Sequence, residues 1–192
     1  MRVDVQAPGF RYGILDAETA YSGRELRSGW VLGQTGLAGD AAAGFVGPCH
    51  VVNEDLVDLD DARQGEFIRA ARMAHVIVEH PACDLEAAVA RQRLLVCILC
   101  EILGERGFQV RRSGDDVFFD SRKLTVSIAA PGPASSLIHL GINVDPEGAP
   151  VAAAGLGEMK IDPAELLGEL LERYRREIES IRYATGKVRP VP

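Results

Sequence analysis

Apolar positions along the chain recur at two different periods, and the periods divide it into elements. From Asp84 to Glu105 they follow helical spacing through Leu85, Ala88, Val89, Leu95, Val96, Leu99, Ile102 and Leu103, with Arg91, Gln92, Arg93 and Glu101 opposite. This predicts a long helix, with Asp84 as its N-cap and Gly104 or Gly107 closing it. A second helix is expected from Asp162, its cap, with Pro163 in the first position, to about Ile181. Its buried stripe is Leu166, Leu167, Leu170, Leu171, Tyr174, Ile178 and Ile181. Glu169–Arg173 and Glu172–Arg176 have the favourable spacing on its outer face.

Between these helices the period switches to two. Phe108–Arg112, Val117–Phe119, Lys123–Ala130 and Leu137–Val144 read as strands, separated by turns at Ser113-Gly114, Asp120-Ser121-Arg122 and Pro131-Gly132-Pro133. In the third strand Leu124, Val126 and Ile128 are expected on one face and Lys123, Thr125 and Ser127 on the other. Gly141 permits a bulge or a close approach. Upstream, Phe10–Leu15, Gly29–Gln34 and Met73–Glu79 are expected as strands and Gly65–Ala74 as a short helix, with His80-Pro81 as a break. The glycine-rich passage between Thr35 and Asn53 reads as strands joined by small-residue turns. It carries no phosphate-binding fingerprint. The acidic run Asn53–Asp61 lacks EF-hand spacing and reads as a solvated loop or helix start. The fold class that follows is α+β, a mostly antiparallel sheet with flanking helices. It is expected to occupy residues 1–192 as one domain, with loose termini at 1–9 and 184–192.

Composition narrows the function classes. A formal net charge of −7 argues against broad nucleic-acid binding, which depends on neutralising phosphates. No apolar run is long enough to span a bilayer, and the start of the chain has no apolar signal-peptide core, so a cytoplasmic location with reduced thiols is expected for the four cysteines. His80/Cys83 and Cys97/Cys100 have zinc-like internal spacings. Cys97 and Cys100, however, lie inside an apolar helix, so core packing is the expectation, and stoichiometric zinc in the purified protein would overturn it.

The segment Asp115-Asp116-Val-Phe-Phe-Asp-Ser-Arg-Lys123-Leu resembles the central motif of biotin protein ligases, roughly Asn-Asp-Ile-Tyr-Val-Asn-Asp-Arg-Lys-Ile. Leu140-Gly-Ile-Asn-Val144 resembles the strand that follows it there. Arg111-Arg112-Ser113-Gly114 is similar to a motif of lipoate protein ligases. Over nearly its whole length, through Gly-Pro-Cys49, the Val78–Leu95 region and Arg122–Ala129, the chain also resembles domain-of-unknown-function family 366. That family is thought to share the class II synthetase and biotin ligase fold.

The resemblance implies an enzyme that binds a small carboxylic acid and ATP with magnesium, forms an acyl-adenylate, and passes the acyl group to an amine of a carrier protein. Lys123 would bridge the acid and the α-phosphate and stabilise the charge that develops there. Asp116 would orient a ligand or hold a metal-bound phosphate. Asn143 and Gly141 would shape the pocket; Arg111, Arg112, Gly114 and Asp115 are further ligand-binding candidates. Against these stand plainer readings: Lys123 as a solvated edge charge, Asp115 and Asp116 as turn residues, Arg111 and Arg112 as an exposed strand end. The arginine-rich loop of biotin ligases has no counterpart between Gly36 and Val52, where there are glycines and no arginines; Arg63, Arg69 and Arg72 are the nearest candidates to replace it. A related branch dispenses with ATP and uses a cysteine nucleophile, for which Cys49 is the candidate, although His50 beside it on a strand faces the other way. The alternative to an enzyme is a relative that binds a small acid or nucleotide without catalysis. A homodimer through an exposed sheet edge is compatible with either.

Overall fold

The computed structural model describes residues 2–3 and 9–191, with side chains from residue 9 onward. Most of the expected loose start therefore lies outside the described residues. In chain order the elements are β1 (Arg2–Val3), β2 (Arg11–Ile14), α1 (Trp30–Thr35), β3 (Ala41–Val51), α2 (Leu59–Gln64), β4 (Ile68–His80), α3 (Leu85–Glu105), β5 (Val110–Ser113), β6 (Asp116–Phe119), β7 (Arg122–Lys123), β8 (Thr125–Pro131), β9 (Ser136–Asp145), α4 (Leu156–Met159) and α5 (Pro163–Gly186). Six strands form one sheet in the order β1-β2-β3-β4-β9-β8, and β5-β6-β7 form a second, small one. All pairs are antiparallel except β2 with β3. This is the α+β architecture that the pattern predicts.

The two faces of the large sheet are covered differently. Ala74, Val76 and Val78 of β4 and Ile138, Leu140 and Ile142 of β9 point to one face, where they pack with Leu95, Leu99 and Ile102 of α3 and Leu166, Leu170 and Tyr174 of α5. The alternate residues, Met73, His75 and Ile77, point to the other face, toward Phe45, Trp30 and Tyr21. Both long helices start as their sequence implies: Asp84 accepts from the Ala87 N–H at 2.7 Å and Asp162 from the Glu165 N–H at 2.8 Å. Outside the core, Arg106 and Arg173 tie α3 to α5 through Glu105, Glu165 and Glu169.

Several expectations need correction. Trp30–Thr35 is a helix, not a strand, held between two left-handed glycines, Gly29 and Gly36. Six residues with an apolar start are too short for periodicity to distinguish the two. The proposed helix at Gly65–Ala74 is strand from Ile68, because pairing with β3 and β9 overrides its local propensity. The glycine-rich passage contributes one continuous strand, β3, bulged between Gly47 and Cys49. There Gly47 lies under the Thr19 backbone, where a Cβ would sit 2.0 Å from the carbonyl oxygen. The strand expected at Phe10–Leu15 is β2, which lies between β1 and β3. Residues 156–159 form a helical turn, and α5 continues past Ile181, which is exposed, to Gly186. Gln92 belongs inside: it is buried and bonded to Asp115 and Ser127.

Candidate functional site

The strand expected from Lys123 to Ala130 breaks at Leu124, and the break creates the site. β7 pairs with β6 in the small sheet, whereas β8 pairs with β9 in the large one. Asp120 and Ser121 both take positive φ, 47° and 63°, so β6 returns to β7 through a two-residue turn whose twist suits a hairpin. Leu124 then plunges into the helix-side core, while Val126 and Ile128 face the opposite way. Lys123 is pinned at this junction by its backbone. Its N–H donates to the Ala152 carbonyl at 2.9 Å, and its own carbonyl accepts from the Ala154 N–H at 3.0 Å and from Asn143 Nδ2 at 3.2 Å. The side chain is left to enter a cavity, where Nζ lies 3.0 Å from Asp116 Oδ1.

That cavity has a volume of about 270 Å³, at the small end for ligand sites. Tyr21, Val126, Ile128 and His139 come from the non-helical face of the sheet; Asp55 to Phe67, the segment between β3 and β4, covers it; Pro150 to Ala153 closes a third side. Val57, Phe67 and Val151 are exposed at its mouth. Six lining carboxylates, Asp55, Asp58, Asp61, Glu66, Asp115 and Asp116, face two lining cations, Lys123 and Arg69. Several are already engaged. Arg24 holds Asp55, Asp58 caps α2, and Asp115 accepts from Arg93 at 2.8 Å and Gln92 at 2.9 Å. Burial nevertheless pushes the Asp115 carboxyl up, against the pull of Arg93. Burial, then the nearby Asp58 and Glu66, push Asp61 up in the same direction.

Behind the cavity is a buried aromatic stack. The Tyr21 and His139 rings are parallel within 9° with centroids 3.9 Å apart, and His75 stacks on Phe45 at 4.8 Å. His75 Nδ1 and His139 Nε2 are 3.1 Å apart, and His75 Nε2 faces the Gly47 carbonyl at 3.4 Å. Burial pushes both imidazoles far down, His75 to about 3, so both are neutral at ordinary pH.

Of the residues singled out in the sequence, Lys123, Asp115, Asp116 and Asn143 come together on this cavity. Gly141 lies behind its wall: a Cβ there would sit 2.8 Å from Met73 Cε and 3.2 Å from His139 Cε1, so its role is close approach and not a bulge. Gly114 takes positive φ against the Arg93 guanidinium, which leaves Arg93 free to reach Asp115. Arg111 and Arg112 do not reach the cavity. They are exposed on β5, Arg111 over the Phe118 ring and Arg112 bonded to the Gly114 carbonyl. Among the arginines considered for the missing loop, Arg69 lines the cavity, while Arg63 pairs with Asp60 and Arg72 with Glu18. Cys49 is buried beside Tyr21, outside the cavity lining, with its thiol pushed up to about 12 by burial and by Glu25. Burial of this kind disfavours the thiolate that a nucleophile requires. His80 has its ring nitrogens on Asp40 and Tyr174. Among the described residues no three His, Cys, Asp or Glu side chains are grouped to hold a metal ion, and no helix is long and apolar enough to cross a membrane. All four cysteines are free.

Tyr21 and His139 were not singled out beforehand, and the acidic run Asn53–Asp61, expected as a solvated loop or helix start, supplies part of the cavity's cover. Alternation places His139 on the face of β9 opposite Leu140, but only the sheet order shows that this face meets Lys123 and not α3.

The chain is 33% identical over 178 residues to "Uncharacterized protein MJ0805" of Methanocaldococcus jannaschii, covering 89% of this chain and 80% of that protein. A solved protein of unknown function from Pyrococcus horikoshi superposes with a TM-score of 0.91 at 36% identity, over 96% of this chain and all of the other. The biotin protein ligase from Aquifex aeolicus in complex with biotin and ATP superposes with a TM-score of 0.58 at 16% identity, over 89% of this chain and 70% of the ligase, which establishes a shared fold. Residues 10–189 match the family described as Domain of unknown function (DUF366), and the chain belongs to that family.

Proposed function

We propose that this chain is a carboxylic-acid ligase or acyltransferase that uses Lys123, with the cavity as the binding site for the acid. The observation that carries the reading is the placement of Lys123: a cation held 3.0 Å from one carboxylate, Asp116, at the wall of a cavity whose floor is aromatic and aliphatic. A small acid would lay its apolar body along Tyr21, Val126 and Ile128 and turn its carboxylate to Nζ. Asp116 keeps the ammonium in place before the ligand arrives, and Asn143 fixes the backbone from which it projects. In an adenylating reaction one acid oxygen attacks the α-phosphorus of ATP and pyrophosphate leaves. An acceptor amine then attacks the acyl carbon and AMP leaves. The Lys123 charge stabilises the oxygens on which negative charge builds up in both steps. Magnesium carried on the nucleotide needs only one or two protein carboxylates; Asp61 would supply one while Asp116 stays on Lys123, and bound there the ion would neutralise phosphate charge.

A second reading is favoured by the cover of the site. The segment over the cavity is acidic, and the glycine-rich strand β3 is buried in the sheet and carries no arginine. A relative that binds a small acid or nucleotide without adenylating it fits those features. Exchange of labelled pyrophosphate into ATP separates the two. The ligase reading predicts exchange that requires an added carboxylic acid and falls by about a hundredfold or more in Lys123→Ala. Acid binding without exchange, and without acyl transfer to an amine, would leave the second reading.

A further inference from the structure

We infer that the ligand of this cavity carries, at the end remote from its carboxylate, a neutral N–H or O–H donor that His139 Nδ1 accepts. The inference deepens the acid-binding reading and rests on it.

Hydrogen bonding fixes the proton positions in the buried pair. A carbonyl can only accept, so the His75 Nε2 that faces the Gly47 oxygen carries the hydrogen. Neutral His75 then has a bare Nδ1, which can only accept, so His139 Nε2 carries the hydrogen between the two rings. Neutral His139 is left with a bare Nδ1. The relay runs from a fixed backbone carbonyl through two imidazoles and ends in a lone pair.

That lone pair has no partner among the described residues, although His139 is only 3% exposed. No sealed side-chain nitrogen or oxygen among the described residues lacks a partner, and His139 lines the cavity, so Nδ1 opens on the cavity space. Tyr21 covers a face of the ring at 3.9 Å, which leaves the ring edge for the in-plane approach a hydrogen bond needs. Water can meet this nitrogen while the cavity is empty, and a ligand that displaces that water has to supply a donor in its place or leave the acceptor unanswered. The carboxylates of the cover are acceptors as well, and they favour a donor-bearing ligand for the same reason. A plain alkanoic acid would leave Nδ1 unanswered; a hydroxy, amide or ureido acid would not.

The test is titration calorimetry with octanoate, ω-hydroxyoctanoate and ω-methoxyoctanoate, together with biotin and lipoate, on wild type, His139→Phe and Lys123→Ala. The hydroxy and methoxy acids both carry an end-group oxygen, but only the hydroxy acid can donate. The expected result is about tenfold tighter binding of ω-hydroxyoctanoate than of either chain-matched acid. The preference should disappear in His139→Phe, whereas Lys123→Ala should weaken all three alike. Equal binding of the three by wild type, with the Lys123 dependence retained, overturns the donor assignment and leaves the acid site standing. Binding of no acid by wild type overturns both. The wild-type comparison decides the matter even if His139→Phe does not fold.

Discussion

Two buried histidine sites lie on opposite faces of β4, and they differ in what remains unsatisfied. On the helix-covered face, His80 has both nitrogens engaged, Nδ1 at 2.7 Å from Asp40 and Nε2 at 2.9 Å from Tyr174, with Phe10 against the rings. Arg182 also reaches Asp40, so the cluster is complete within the protein. On the cavity face, His75 and His139 form a relay with one end tied to Gly47 and the other end open. A closed network of this kind fixes the position of α5 against the sheet. An open one leaves an acceptor facing the cavity that Lys123 also lines, and a donor on a ligand is the natural group to meet it.

The largest way to break the comparison is to hollow out the closed face. Leu99, fully buried on the sheet-facing side of α3, should cost about 2–5 kcal/mol on truncation to alanine, seen as a lower denaturation midpoint. Val126→Ala, facing the cavity, should cost about 1 kcal/mol, because solvent already reaches its neighbours.

Acid comes next. His75 and His80 are both pushed down to about 3 by burial, and His139 shifts the same way. The unfolded chain takes up these protons near pH 6.5 and the folded chain does not. Stability is therefore complete above about 6.5 and is lost as pH falls toward 3, by up to about 1.4 kcal/mol per pH unit for each histidine. His80 should contribute least, since Asp40 beside it favours its charged form against burial and Arg91. Urea titrations between about pH 4 and 7 read this directly. A flat midpoint would mean that the histidines are charged in the fold. A smaller effect sharpens the closed side: Tyr174→Phe removes the partner of His80 Nε2 and should cost about 1–3 kcal/mol, with ligand binding unchanged.

The closed face was largely legible in the sequence. Helical spacing located α3 and α5, and Asp84 and Asp162 marked their starts because a cap is a local signal. Lys123, Asp116 and Asn143 were legible as a motif. The floor and cover of the cavity were not. His139 sits in an ordinary alternating strand, and its meaning depends on β8 and β4 flanking β9, which no local period records. The break at Leu124 was hidden as well, since residues 123–130 alternate smoothly in sequence although they serve two sheets. Arg111 and Arg112 do not reach the cavity for a related reason: motif similarity gave their neighbours, but β5 is an edge strand of the small sheet and leaves both exposed.

The central claim is that the cavity at Lys123 binds a small acid, and thermal denaturation with octanoate, biotin, lipoate, ω-hydroxyoctanoate and ATP tests it most directly. Without ligand, Lys123→Ala should melt close to wild type, because a partly exposed ion pair is worth about 0–1 kcal/mol. At about a hundred times its dissociation constant, a ligand of the folded state adds about 2.7 kcal/mol. The wild-type melting temperature should rise with at least one acid, and that of Lys123→Ala little or not at all. Equal rises in both proteins would place the binding elsewhere and contradict the claim.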